Sequence, residues 1–564
     1  MCLRTSNRET RLTMPLRDQS ALRRDYLAVF FLAAVIFCVA HGSGMLAPWQ
    51  ANDDTRQQVF WMQRFSNASL YPDDPLSRYA SYYVPQALQI IYRLACPIVS
   101  AITFSKILTG FLFIILSITF FGFGSIVGGR TFGWCLACMT WLMPAFLYNM
   151  SGGISRSFAA PLMVLFLWRQ ARGDAFGQAA ALILQALLIP YVYITCATAS
   201  LLSWIGGRLF KFRSQSFPTC WLHWMTLVSG FFLVWLMGHR FDAAGYGPLA
   251  GVADMSGHPE FSALGRLELY PQPGIFMDAL YYPFERIGLF LEFGLGWGIA
   301  SLIVLGLYLA WQGPRVSWKN IASRSSSLIW LLLAGSILYI TARILLLKLF
   351  VPDRYLSIPL GIAYALGISA VVSKSLQGLP ARLKAALLCV CVVLACWRLH
   401  GQGLFDYSGN SQCYLAVREL PVSATLAGPP RLMDDVMTFG QRKALVTYKL
   451  AHVWSLGWWS WYEPRLKDFF KAYYSADPEE VKAFCRKYGV NYLVVDEHDY
   501  SRESIGSHPF FAPFDSYIQA LTHDQKRFAL LDGTAFPYTR GGKGIRIIEI
   551  QPVLPEAITA GNTN

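Results

Sequence analysis

Apolar runs recur along this chain up to about residue 400, separated by short polar breaks, and that pattern leaves few ways to fold. They lie at about 26–41, 104–126, 133–149, 154–170, 175–189, 191–207, 220–237, 286–310, 327–349, 355–373 and 385–399. Each approaches the ~20 residues that carry a helix across a bilayer. The pattern predicts a polytopic α-helical membrane protein with about eleven transmembrane helices. Charged residues make up 15% of the chain and hydrophobic ones 54%, against roughly 25% charged in a soluble domain.

The net charge of +14 would suggest nucleic acid in a soluble protein. Here the basic residues gather in short turns between apolar runs, which is a topology signal. No stretch interleaves cations with aromatics as a nucleic-acid groove does, so no nucleic-acid partner is expected. Arg4, Arg8, Arg11, Arg17, Arg23 and Arg24 precede the first run and hold the N-terminus in the cytoplasm. That flank is long and no small-residue cleavage site follows, so the run is expected to stay as an uncleaved helix. The segment 82–102 carries Arg93 and is only moderately apolar; it is expected to lie at the interface without crossing. With that choice the basic turns at Arg130, Arg169/Arg172, Arg208/Lys211/Arg213, Arg315/Lys319/Arg324 and Lys374/Arg382/Lys384 all share one side, as the positive-inside rule requires.

The expected organisation is a cytoplasmic basic N-terminus over 1–24 and a membrane domain over 25–400. Outer loops fall at 42–103 and 238–285, and residues 401–564 form an extracytoplasmic domain. In that last region charge rises and apolar runs shorten. Stretches 424–427, 444–448, 492–496 and 545–550 read as strands. Asp477-Pro478-Glu479-Glu480 reads as a helix start, with a cap, a first-turn proline and acids at the positive dipole end. Helix, Gly489 turn and strand follow one another as in a small α/β layer domain. Cys135 and Cys138 form a CxxC inside an apolar run, where cysteine behaves as a small hydrophobe. Cys413 and Cys485 stand in the soluble region, paired or not.

Asp53 and Asp54 follow the first helix at its outer end. Adjacent carboxylates at a membrane boundary repel and are costly to desolvate, so they need a cation, a metal or a wet cleft. Asp73 and Asp74, flanked by Pro72 and Pro75, read as a turn. Arg156 sits in a Gly/Ser-rich outer turn, and Arg354 follows Pro352 at a helix end; there it either clamps an anion or snorkels to the headgroups. Arg343, inside an apolar run, is expensive unless it meets a polar partner. His258 and Glu260 are two residues of metal-ligating type in a flexible loop. The tryptophans over 454–461 read as a sugar or lipid platform, or as core.

These features resemble the GT-C class of integral membrane glycosyltransferases, which includes protein O-mannosyltransferases, aminoarabinose transferases and oligosaccharyltransferases. The likeness lies in an aspartate in the first outer loop, an interfacial helix, and the turn Gly129-Arg130-Thr131-Phe132-Gly133. It extends to the Arg156 turn, to Pro352-Asp353-Arg354-Tyr355, and to the tail around Tyr488-Gly489-Val490-Asn491-Tyr492-Leu493-Val494-Val495-Asp496. Trp458-Trp459-Ser460-Trp461 departs from the WWDYG-type signature of oligosaccharyltransferases.

The resemblance implies a bacterial inner-membrane enzyme with a periplasmic domain, acting in the cell envelope. It would move a sugar from a polyprenyl-phosphate donor in the bilayer to an acceptor hydroxyl. Attack on the anomeric carbon needs a carboxylate to take the hydroxyl proton, a role implied for Asp53 or Asp54. The phosphate leaving group needs cations more than an acid, a role implied for Arg56, Arg156 and Arg354, with Tyr355 beside them. Asp53 and Asp54 are also the candidate ligands of a divalent metal, Mg or Mn, through hard oxygens. The competing class is a non-catalytic lipid-linked saccharide transporter or flippase, or an envelope polysaccharide assembly protein. The chain shows no internal repeat of the kind many transporters carry.

Overall fold

The chain enters the structure on a 31-residue helix, Leu16–Leu46. The computed structural model describes residues 16–209, 221–268, 326–349 and 351–550, with isolated positions at 300, 303 and 304. The expected span at 286–310 lies almost wholly outside the described residues. So do Arg4, Arg8, Arg11, Lys211, Arg213, Arg315, Lys319 and Arg324.

Five described helices are long and apolar enough to cross a membrane: Ser20–Leu46 within the first, Ala101–Gly128, Trp221–Ala243, Ser326–Leu345 and Asp353–Ser375. A sixth span arises if Arg130–Leu142 and Pro144–Met150 are counted together across their 64° bend. Pro144 causes that bend, because it lacks an N–H and its ring clashes with the turn before it. The expected count of about eleven is therefore not what the described residues present. Ala159–Ala171 and Ala175–Leu188 are 13 and 14 residues long, each ~20 Å at the α-helical rise against a ~30 Å hydrocarbon core. The protein is a multi-pass membrane protein in which long and short helices are mixed.

Helix Ala101–Gly128 is the axis of the body and packs against Leu16–Leu46, Arg130–Leu142 and Ala159–Ala171. A side chain at Gly124 would meet the Gly133 backbone at 2.9 Å, so these two helices touch backbone to backbone after the turn at Gly129. At one end of the first helix Asp25 pairs with Arg130, with Nη2 to Oδ1 at 2.7 Å. At the other end buried Lys106 donates to the carbonyls of Gly44 and Ala47, 2.8 Å each. A lysine there satisfies carbonyls that the last turn leaves open. From Asp25 to Leu46 the helix rises ~32 Å, so the Arg130 turn and the Asp53 loop stand a bilayer's thickness apart. Arg343 is buried within Ser326–Leu345.

The segment 82–102 does not form one helix. Pro75–Tyr83 and Gln86–Ala95 are short, and Gln86–Ala95 buries Leu88 and Tyr92 while exposing Ile90 and Leu94. At ten residues it is ~15 Å long, too short to cross. Asp74 caps the first of these helices, accepting from the Leu76 and Ser77 amides, so the Asp73–Asp74 turn is structural.

Beyond residue 400 the chain builds an α/β layer. A two-residue ribbon first joins it to the segment after the first helix: β1 (Gln50–Ala51) pairs antiparallel with β2 (Phe405–Asp406). The main sheet contains β3 (Thr425–Ala427), β4 (Lys443–Ala444), β5 (Tyr492–Asp496), β6 (Tyr538–Arg540) and β7 (Ile545–Glu549) in the order β4-β3-β5-β7-β6. β3 runs parallel to β4 and β5, while β7 is antiparallel to β5 and β6. Leu493, Val494 and Val495 are all buried, as in a strand covered on both faces. Helix Pro478–Tyr488 starts on the Asp477 cap and ends at Gly489, whose φ of 64° closes it.

Trp458 stacks on Tyr79 at 4.0 Å, and Ala250 N donates to Trp454 O at 2.8 Å. The tryptophan run is thus a seam between layer and helices, with Trp458 and Trp459 buried. Cys413 and Cys485 are buried and unpaired. Cys135 and Cys138 are buried in helix Arg130–Leu142.

Candidate functional site

The site is built on Asn52, which is buried. Its Oδ1 accepts from the Asp54 amide at 3.1 Å, a side-chain turn that asparagine readily makes. The same oxygen accepts from Arg156 Nη2 at 3.1 Å. Asn52 Nδ2 donates to Gly403 O at 2.9 Å, and Ser151 Oγ donates to that carbonyl at 2.8 Å. A side chain at Gly152, where φ is 96°, would come within 2.9 Å of Asn52 Cβ. Three distant loops, 52–56, 151–156 and 401–407, are thereby knotted at one point. The β1–β2 ribbon fixes the approach of the first to the third.

Among the described residues Asp53 and Asp54 meet three cations, Arg56, Arg156 and Lys449. Arg156 Nη1 lies 2.7 Å from Asp54 Oδ2. Lys449 bonds Asp53 Oδ2 and stands 3.5 Å from Asp54 Oδ1. Arg56 bonds Asp53 Oδ1 and reaches Asp435 Oδ1 at 2.6 Å. Its guanidinium also lies 4.3 Å from the centre of the Tyr407 ring, whose hydroxyl faces Asp53 Oδ1 at 3.5 Å. Tyr414 donates to Asp435 Oδ2 at 3.3 Å. Asp434, beneath them, accepts from the Lys449 amide at 2.9 Å.

The acids of the cluster differ in their proton affinity. Burial pushes the Asp53 carboxyl up, but Lys449 and Arg56 outweigh it and hold it below the ordinary range. Burial dominates at Asp434 and pushes it up to about 7 despite Arg56. Asp435 is raised by burial as well, with Arg56 opposing. At neutral pH Asp53 is an anion held by cations and a weak proton acceptor. Asp54 Oδ1, whose cation stands at 3.5 Å, is the most loosely held oxygen of the pair.

The structure brings Asp53, Asp54, Arg56 and Arg156 together. Arg354 lies against Tyr191, with its guanidinium carbon 5.8 Å from that ring's centre. Tyr355 is not a surface of the site. It is buried, its hydroxyl bonds the Leu349 carbonyl, and its ring packs edge-on against Tyr191 at 6.3 Å. Arg56 differs from its expected clamp role. Between two carboxylates and a tyrosine face, its side chain is 12% exposed, and it serves as an internal counter-ion. Sequence reading missed Asn52, Tyr407, Asp434, Asp435 and Lys449. The second Asp-Asp pair at 434–435 was a visible signal, whereas Lys449 is one cation among many in the α/β layer.

The residues fit a divalent metal poorly. The oxygens of Asp53 and Asp54 are shared among Arg56, Arg156 and Lys449, and hard cations need six or more oxygen ligands. Among the described residues no group of three or more His, Cys, Asp or Glu is arranged to hold a metal ion. His258 is exposed and Glu260 buried.

No family model matches the chain, and no curated protein sequence matches it. It is similar to solved structures of integral membrane glycosyltransferases. ArnT from Cupriavidus metallidurans bound to undecaprenyl phosphate has 11% identity, with 94% of this chain and 98% of that one covered, at a TM-score of 0.49. The Archaeoglobus fulgidus oligosaccharyltransferase in complex with Zn and sulfate has 11% identity, with 87% and 70% covered, at 0.48. AglB from the same organism, in complex with an inhibitory peptide and a dolichol-phosphate, has 11% identity, with 85% and 70% covered, at 0.46. Likeness at this level carries no residue role across.

Proposed function

We propose that this protein transfers a sugar from a polyprenyl-phosphate donor to an acceptor hydroxyl at the outer face of a bacterial inner membrane. The observation that supports the reading is the Asp54–Arg156 pair, Nη1 to Oδ2 at 2.7 Å, a carboxylate beside a guanidinium; Arg354, 5.8 Å from the centre of the Tyr191 ring, is proposed as the second clamp. The acceptor hydroxyl gives its proton to Asp54 Oδ1 as its oxygen attacks the anomeric carbon. The bond from that carbon to the phosphate oxygen breaks, and its electron pair leaves on the phosphate. Arg156 and Arg354 bind that anion in the planar, bidentate manner that lysine cannot reproduce. Asp53, held by Arg56 and Lys449, fixes the loop and shapes the field. No metal step is needed in this scheme, because the protein's own cations supply the positive charge.

Reconstituted protein supplied with a polyprenyl-phosphate sugar and a hydroxyl acceptor tests the reading. Sugar should move to the acceptor, and Arg156→Lys and Arg354→Lys should each lower kcat/KM about tenfold or more. If either arginine only anchors a helix, its lysine variant should be nearly silent. Donor translocation without cleavage of the sugar–phosphate bond would overturn the transferase reading in favour of a carrier.

A further inference from the structure

We infer that Lys449, delivered by the C-terminal α/β layer, is a third ligand of the donor phosphate, parked in this structure across Asp53 and Asp54. The inference rests on the transferase reading and deepens it.

Three cations lie within ion-pair distance of the two aspartates: Arg56, Arg156 and Lys449. Arg56 has no room to turn, because Asp53, Asp435 and the Tyr407 face surround its guanidinium. Arg156 is fixed by a second partner, Asn52 Oδ1, at 3.1 Å. Lys449 is anchored differently. Its root is held, with the backbone amide on Asp434 Oδ1 at 2.9 Å. Its head is a compact ammonium with three rotatable donors on a four-carbon stem. That head straddles two carboxylates, bonded to Asp53 Oδ2 and 3.5 Å from Asp54 Oδ1.

The charge balance gives it a reason to move. Arg56 is matched by Asp435, Lys449 by Asp53 and Arg156 by Asp54. A phosphate arriving at Arg156 adds negative charge to a matched cluster, and a swing of the ammonium toward it compensates at little conformational cost. The same swing uncovers the carboxylate oxygens that the ammonium straddles, and the α/β layer is part of the active site.

Full-length protein with ε-15N-labelled lysine, in nanodiscs with a polyprenyl phosphate that carries no sugar, tests this by 15N–31P dipolar recoupling. A charge-assisted contact places nitrogen and phosphorus within ~4 Å. Dephasing at that range is expected, and it should vanish in Lys449→Arg, which removes the labelled ammonium and keeps the charge. Lys449→Met should weaken binding of the same lipid about tenfold. Dephasing that is absent while the lipid is bound, or that survives in Lys449→Arg, overturns the assignment and leaves the transferase reading standing. Wild-type protein that binds the phosphate no better than the corresponding polyprenol overturns both.

Discussion

Two aspartate pairs, 53–54 and 73–74, follow the first helix and are used in opposite ways. Asp74 is buried and satisfied locally, accepting from Ser77 N at 2.8 Å, as a capping aspartate does. Asp73 takes a positive φ of 51° in the turn before it. Asp53 and Asp54 take their partners from far along the chain, at Arg156, Asp435 (through Arg56) and Lys449. A local cap makes structure with the residues beside it. A carboxylate pair that shares one nearby cation, Arg56, and two distant ones, Arg156 and Lys449, holds three parts of the chain together.

That contrast has measurable consequences. The largest is in turnover. Asp54→Asn should lower the transfer rate by roughly 10²–10⁴-fold, the usual worth of a general base. Asp74→Ala should cost about 1 kcal/mol of stability as a lost cap, with the turnover of the folded enzyme unchanged. Equal rate losses in the two variants would break the comparison.

Next comes the counter-ion. Arg56→Met leaves Asp53 and Asp435 without their shared cation and should destabilise the protein by about 3 kcal/mol, read as a shift in denaturant or thermal midpoint. Arg56→Met combined with Asp435→Asn should recover part of that loss. If Arg56 contacts the donor instead, the single variant should raise KM and leave the midpoint in place.

The smallest effect is a pH slope. The Asp434 carboxyl is raised to about 7 in the folded protein. Between its unfolded value and 7 the unfolded chain releases a proton that the folded chain keeps, so stability falls as pH rises through that window. Asp53 is shifted the other way, and its contribution is lost as pH falls through its folded value. Asp434→Asn retains an oxygen for the Lys449 amide and should flatten the slope between pH 4 and 7. A slope identical to wild type would show that Asp434 does not carry it.

Much of the architecture was legible because it rests on local rules. Pro478 with Asp477, Gly489 and the run Leu493–Val495 each act within a few residues, and helix, turn and strand followed as expected. Helix Ala101–Gly128 was legible from apolar length alone. The expected span at 133–149 was not legible as one straight helix, because Pro144 bends it into two pieces that a composition window reads together. Of the charged cluster, Asp53, Asp54 and Arg156 stood out in the sequence as charges placed where burial is costly. Tyr355 read like a neighbour of Arg354 but points into the packing, since a helix sends consecutive side chains roughly 100° apart.

By itself the sequence determined the membrane character of the chain, the acid pair after the first helix and the α/β tail, because apolar length, capping and strand patterning are properties of neighbours. Only the tertiary structure decided which cations those acids meet. Asp53 is bonded by a lysine nearly four hundred residues away, brought there by the two-residue β1–β2 ribbon and the Asn52–Gly403 knot. Ion pairing depends on distance in space, and no local rule of the chain encodes the closure of so long a loop.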